Sequence, residues 1–391
     1  MTGQADVIVI GLGAAGSASL YQLARRGTRV LGVDRFTPPH DRGSSHGETR
    51  ITRQAIAEGL AYVPLVLRSH EIWRELEAQT GETLLQTCGF AAIEDEPGTQ
   101  RPSNRPGFVQ RTIAAALHFN IDHEILRTED ARHRFPAFDL PPGARLYLEP
   151  GGGMVFPERC IAAQLKLAAQ LGAQIRPDEC VRQIDQTSAS VRVVTDRAEY
   201  QADQVIVCAG SWAPGLLGGA LRHMRLFRQT LHWFAPDDAR QYAPDRFPAF
   251  VWACDTDAGE GKFYGLPIPA AGTPGVKVAT EQYTDFIERP EDLERSVTPF
   301  ESTSMHEQYV AGRLLGLSSR PIKSTACLYT QAPDNDFAIG RSPDMQRVII
   351  VSACSGHGFK HSAAIGEAAA KMVLDDDSVD LTFSLSRPAL S

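Results

Sequence analysis

The segment that most restricts this chain is its beginning, where residues 6–34 read DVIVIGLGAAGSASLYQLARRGTRVLGVD. Val7-Ile8-Val9-Ile10 is an apolar, β-branched run of the kind that parallel sheets bury on both faces. It leads directly into Gly11-Leu12-Gly13-Ala14-Ala15-Gly16. A helical pattern follows from Ser17 to Arg26, with Gly27 placed to cap it, and Val30–Val33 is a second strand that ends on Asp34. Strand, glycine turn, helix and strand make a βαβ unit carrying the G-x-G-x-x-G pattern of dinucleotide sites. Gly11 and Gly13 let the turn close tightly and the backbone approach a pyrophosphate. Gly16 lets the helix lie close to the strand. The helix N-terminus faces the phosphates, and Asp34 is spaced to accept from ribose hydroxyls. The pattern alone does not separate NAD from FAD.

A chain of 391 residues is too long for one ordinary core, which predicts two domains. The net charge of −8 argues against nucleic acid or an anionic membrane as a partner. No apolar run is long enough to span a bilayer, and the N-terminus lacks the basic region of a signal peptide. The seven cysteines are scattered without a C-x-x-C pair, which suits a reducing cytoplasm and offers no metal framework.

Further along, Leu65–Thr80 and Pro157–Leu171 read as helices, and Val181–Val194 and Glu199–Ala209 read as strands. Residues 96–108, rich in Pro, Gly and Arg, read as an exposed loop. From about 215 to 320 the text becomes rich in aromatics, prolines and short strand-like runs: 230–234, 250–254, 262–266 and 276–280. After 345 the α/β pattern returns, with a strand at Val348–Val351, a glycine turn at 355–358 and a helix from Ser362 to Leu374. The expected fold class is therefore α/β. A discontinuous Rossmann-like dinucleotide-binding domain (1–85, 145–215, 321–391) carries a second, α+β substrate domain on a mixed or antiparallel sheet (86–144, 216–320). The absence of a second fingerprint suggests one dinucleotide with no built-in nicotinamide partner. The C-terminal strand–turn–helix supplies a helix N-terminus suited to the polar end of an isoalloxazine. Both tilt the choice toward FAD.

Read alone, Cys327 in Ser324-Thr-Ala-Cys-Leu-Tyr-Thr330 is a buried structural cysteine. A resemblance changes that. GLGAAG (11–16), PPHDRGSSHGETRITR (38–53), YVPLVLRS (62–69), CLYTQAPDNDFAIG (327–340), SGHGFK (355–360) and SRPAL (386–390) together resemble the family of monomeric sarcosine oxidase and N-methyltryptophan oxidase, FAD-dependent amine oxidases of the D-amino-acid oxidase superfamily. The resemblance covers nearly the whole chain. It implies FAD attached covalently through the Cys327 sulfur. It also implies cofactor contacts from Gly11, Gly13, Gly16, Asp34, Arg35, Ser44, Thr49, Arg50, Gly356, Gly358, Phe359 and Lys360. Arg53 and Lys360 are implied to bind the substrate carboxylate, a task for which the planar guanidinium is well shaped. Arg50 and His46 are implied to lie nearer the flavin ring, Lys277 to activate oxygen, and Tyr264 to line the substrate pocket.

Two departures bear on the substrate. Four residues beyond Lys277, where the family carries a histidine, this chain has Glu281, which invites a second cationic group on the substrate. Trp252 is expected on the pocket side of the second domain, where smaller residues are usual. The expected activity is oxidation of the C–N bond of a secondary-amine α-amino acid to an imine, with O2 reduced to H2O2. The substrate is sarcosine, another N-methyl amino acid, or a cyclic one such as proline or pipecolate. The expected enzyme is a monomer whose partners are this small molecule and O2. The rivals are a flavin-dependent dehydrogenase or demethylase that passes electrons to a carrier, a non-catalytic dinucleotide-binding redox protein and, weakest, a nicotinamide-dependent dehydrogenase.

Overall fold

The computed structural model describes residues 3–95, 107–256, 259–375 and 380–390. The fingerprint βαβ unit forms as expected: strand Gly3–Ile10, helix Ala14–Arg25, strand Val30–Val33. Gly3–Ile10 pairs in parallel with Val30–Val33 on one side and with Glu199–Val207 on the other, Val7 opposite Val30 and Ile8 opposite Val205. Gln174–Arg176 and Val348–Ser352 extend this parallel sheet at its two edges. Val9 and Ile349 are fully buried against helices on one face, and Ile8 and Val205 against Val191, Val193, Ala213 and Leu221 on the other. Helix Ala14–Arg25 packs on Pro157–Gln170 and Ser362–Leu374. Gly27, at φ +79°, turns the chain out of the first helix by donating its N–H to Ala24. That helix begins three residues before the expected Ser17, because Gly16 must lie inside its first turn. A Cβ there would stand 1.7 Å from the Gly11 carbonyl oxygen. The stretch Val181–Val194 is not one strand but most of a hairpin, Val181–Gln186 and Val191–Thr195.

The second sheet has nine strands and is mostly antiparallel, with one parallel pair, Phe90–Glu94 beside Ala249–Thr256. Arg145–Glu149 pairs with Phe90–Glu94, and Leu317–Gln331 pairs along most of Arg225–Pro236, so both belong to the second sheet. Cys327 therefore lies on the second sheet and the glycine turn follows a strand of the first. A small third sheet links the two, with Gly153–Val155 pairing both Arg50–Thr52 and Leu85–Thr87. The expected loop at 96–108 lies outside the described residues up to 106; from Phe108 the chain is helix, to His118. No helix among the described residues is long and apolar enough to cross a membrane.

Candidate active site

A cavity of about 610 Å³ runs from the fingerprint turn to the face of the second sheet. At one end it is lined by Gly11, Gly13, Asp34 and Arg35, and at the other by Arg53, Glu58, Tyr264 and Lys360. Helix Ala14–Arg25 starts at Gly13 with no side-chain cap, so its first amides remain directed at the cavity. A Cβ on Gly13 would meet only Ser45 Oγ, at 3.6 Å, which leaves room for a phosphate against the backbone. Asp34 is buried, and its carboxylate accepts from Leu12 N at 2.6 Å and Phe36 N at 2.8 Å. It thus fixes the turn as well as lining the cavity. Arg35 is held by Glu291 at 2.5 Å. Gly356, Gly358 and Phe359 form the opposite wall. Gly358 admits no side chain, since a Cβ would stand 1.7 Å from the Ala353 oxygen. The cradle fits a dinucleotide whose ring system ends beside Arg50.

The loop carrying Arg50 is fixed by Glu158, which sequence reading missed, together with Lys277 and Arg50 itself. Glu158, in the first turn of its helix, accepts from Gly47 N at 2.8 Å and Glu48 N at 3.0 Å. Lys277 Nζ donates to the Gly47 carbonyl at 2.9 Å and to that of Thr49. Arg50 donates to the Ser44 carbonyl at 3.0 Å and the Thr49 carbonyl at 2.9 Å. Ser44 and Arg50 line the cavity; His46, Thr49, Lys277 and Cys327 form the layer behind them. Burial, with the Arg50 and Lys277 charges, depresses His46 to about 3, so it is neutral, and its Nε2 has no hydrogen-bond partner among the described residues. Burial and then Arg50 hold the Lys277 ammonium well below the ordinary lysine range. Cys327 is fully buried with Trp233 and Tyr329, against Tyr264 and Cys354. Burial raises its thiol, while Arg50 and Lys277 pull the other way, toward thiolate.

Arg53 and Lys360 do come together. Arg53 is buried, donates to the Ala55 carbonyl at 2.7 Å, and lies 5.3 Å from the Phe90 ring centre and 5.2 Å from that of Phe108. Glu149 steadies the next turn of chain by accepting from Gln54 N at 2.5 Å and Ala55 N at 2.9 Å. Arg53 Nη2 reaches both oxygens of Glu58, at 2.7 and 2.6 Å. Burial alone would raise the Glu58 carboxyl, but Arg53 and Lys360 hold it well below its usual range. Burial depresses Lys360 to about 8, against the pull of Glu58, and its ammonium donates to the His357 carbonyl at 2.8 Å. Burial lifts the Tyr264 phenol to about 12, which keeps it a donor at neutral pH.

Two expectations about the pocket change. Trp252 is fully buried on the far side of its strand, stacked on Phe263 at 5.6 Å, with Nε1 donating to Asp95 at 2.6 Å. Alternation along a strand is the reason: Val251 and its cross-strand partner Tyr264 face the cavity, so Trp252 and Phe263 cannot. Glu281 does line the cavity, but it already meets a cation of the chain itself, Lys262, at 2.6 Å. Nothing in the local text of Glu58, Lys262 or Glu158 marks them as site residues. Only the folded chain brings Glu58 and Lys262 to the cavity and Glu158 to the Gly47 and Glu48 amides.

A fingerprint turn, a cavity shaped for a dinucleotide and a cluster of buried cations at its far end agree with comparison to known proteins. The chain belongs to the FAD-dependent oxidoreductase family, whose model matches residues 6–372, so its cofactor is FAD. More narrowly, it is 35% identical over 371 residues to monomeric sarcosine oxidase of Streptomyces avermitilis, covering 94% of this chain and 93% of that one. It is 34% identical over 384 residues to N-methyl-L-tryptophan oxidase of Yersinia pestis, covering 98% and 99%. Among solved structures, the open form of the amino acid oxidase NikD superposes with a TM-score of 0.84 at 23% identity, covering 98% of both chains, a likeness of fold.

Proposed function

We propose that the protein oxidises the C–N bond of an α-amino acid bearing a secondary amine, such as sarcosine, another N-methyl amino acid or a cyclic one, using O2 as acceptor. The observation that carries this reading is the grip of Arg53 on Glu58. It supports reading the cavity wall beside Lys360 as a carboxylate site. A substrate carboxylate there would draw on Arg53 and Lys360, each contact worth about 1.5–3 kcal/mol as a hydrogen bond to a charged group. The names of the sarcosine and N-methyltryptophan oxidases supply the substrate class by similarity.

Gly11, Gly13, Asp34, Arg35, Gly356 and Gly358 would hold FAD, which would supply the acceptor for the hydride equivalent from the carbon beside nitrogen and a route for its electrons to O2. The chain's own residues do the rest. Arg53 and Lys360 fix the substrate by its acid group. Tyr264 offers a phenol proton as a donor to the pocket. The substrate amine must be neutral, because protonation ties up the lone pair that assists hydride departure. No strong base is required of the protein. Arg50 and the buried Lys277 place positive charge near the ring site, where negative charge develops when O2 is reduced. Cys327, whose thiol burial raises on balance while Arg50 and Lys277 pull the other way, carries the covalent link to FAD in this reading. The enzyme is proposed to act as a monomer in the cytoplasm, as the name of the sarcosine oxidase relatives and the scattered free cysteines suggest. Anaerobic bleaching of the flavin by N-methyl and cyclic amino acids, followed by H2O2 measurement in air, tests the reading. Bleaching without H2O2 would favour a dehydrogenase, and no bleaching with any of them would overturn it.

A further inference from the structure

The substrate end of the cavity holds a second pair of charges. Lys262 lies two residues before Tyr264 on the same strand, so both face the cavity. Glu281 follows directly on the strand Val276–Thr280, whose Thr280 pairs with Phe263. The two side chains meet at 2.6 Å and are 41% and 21% exposed, so the pair sits where the cavity meets solvent. Lys262 also stands 5.8 Å from the centre of the Phe108 ring, which shares a wall with Arg53. Both charges are felt at Lys360, and Lys262 is felt at Glu58. The pair therefore adjoins the carboxylate anchor, on the side open to whatever a bound amino acid carries beyond its α-carbon.

We propose that Lys262 and Glu281 select the substrate side chain, favouring neutral groups that both accept and donate hydrogen bonds, such as a carboxamide, over apolar or charged groups of the same shape. This rests on the reading that the substrate is anchored by its α-carboxylate at Arg53 and Lys360. An apolar side chain would strip water from a half-exposed ion pair and return no hydrogen bond. An acidic side chain would meet Lys262 but face the Glu281 carboxylate, and a basic one would meet the opposite conflict. A carboxamide resolves both: its oxygen accepts from a remaining ammonium N–H of Lys262, and its NH2 donates to the remaining oxygen of Glu281. No charge is left without a partner.

N-methylasparagine, N-methylleucine and N-methylaspartate have side chains of nearly one shape and separate the three cases. Binding to the FAD-loaded protein is measured anaerobically by calorimetry, alongside flavin bleaching. The wild type is expected to bind N-methylasparagine about tenfold or more tightly than the other two, one favourable hydrogen bond to a charged group being sufficient. The double substitution Lys262→Met with Glu281→Leu is expected to reverse the asparagine-over-leucine order while keeping the bound-flavin spectrum. Should that variant fail to fold, Glu281→Gln leaves Lys262 without its carboxylate and is expected to shift preference about tenfold toward N-methylaspartate. Wild-type binding of N-methylleucine or N-methylaspartate as tight as that of N-methylasparagine overturns the proposal, as does an unchanged order in the folded variant, or binding of none of the three. Preferential binding of N-methylasparagine without bleaching supports the proposal and removes the oxidase reading instead.

Discussion

Arg53 places one guanidinium nitrogen 2.7 and 2.6 Å from the two carboxylate oxygens of Glu58, at the wall of the cavity and next to Lys360. An arginine so engaged is both a tested carboxylate ligand and an occupied one. Arg53→Ala is expected to lower kcat/KM for amino-acid substrates on the order of 10- to 100-fold, the worth of one charged hydrogen bond. The flavin spectrum should be unchanged. Glu58→Gln should act in the opposite sense on the binding of carboxylate ligands, tightening it by releasing Arg53. Steady-state kinetics and calorimetry check the pair. Equal turnover of N-methylbenzylamine, which has no carboxylate, and its amino-acid counterparts would remove the assignment.

Lys360 is expected to make carboxylate binding pH-dependent. Its pKa is depressed to about 8 by burial, below the ordinary value of about 10.4. The unfolded chain then binds more protons than the folded one between these values, so this group's contribution to stability rises with pH across that window. Carboxylate binding is expected to have the opposite sign, because in this reading it needs the ammonium and would weaken as pH climbs through about 8. Binding measured by calorimetry should be accompanied by proton uptake near that pH, and Lys360→Met should abolish the uptake.

Cys327 carries the expectation of a covalent cofactor. Wild-type protein precipitated with acid should stay yellow, and its denatured gel band should fluoresce. Cys327→Ser should lose the fluorescent band, whereas Cys354→Ser, at the neighbouring thiol, should keep it. Flavin that washes free of the denatured wild type would make Cys327 structural.

Lys277 is fully enclosed, so its effect should be electrostatic and not one of substrate contact. Lys277→Met is expected to slow reoxidation of the reduced flavin by a factor on the order of 100 to 1,000, the range for loss of a fixed cation a few ångströms from developing charge. Reduction by substrate should change far less. Stopped-flow absorbance separates the two half-reactions, and an unchanged reoxidation rate would shift the oxygen role elsewhere.

Trp252 should report on stability alone. Trp252→Ala removes a fully buried ring and its hydrogen bond to Asp95, with an expected loss of about 3–5 kcal/mol in denaturant unfolding. The order of preference among substrates should not move in the fraction that folds. A changed order would place the ring nearer the substrate than its side of the strand allows.

What the sequence determined by itself was whatever is encoded locally. Val7–Ile10, the spacing of Gly11, Gly13 and Gly16, and Asp34 after the second strand specify one βαβ unit, because a tight turn and close helix packing each demand glycine at a fixed offset. The same holds for the helix expected from about Ser362 to Leu374, which forms there. The motifs of the resemblance likewise named Arg53 and Lys360 as partners although 307 positions separate them. Tertiary structure decided what depends on pairing across long separations. Leu317–Gln331 joined the second sheet because its partner lies some 90 residues earlier, in Arg225–Pro236. Trp252 turned away from the cavity because the pairing of Val251 with Tyr264 set which side of the strand faces it. Glu58, Lys262 and Glu158 carry no local signature, since a lone charged residue in a loop, a strand or a first helical turn is ordinarily solvated. They came to line the cavity or brace its loop only when folding placed them against Arg53, Glu281 and the Gly47–Glu48 amides; burial makes the partner charge or N–H strongly favourable at Arg53 and Gly47, while the half-exposed Lys262–Glu281 pair keeps water on one side.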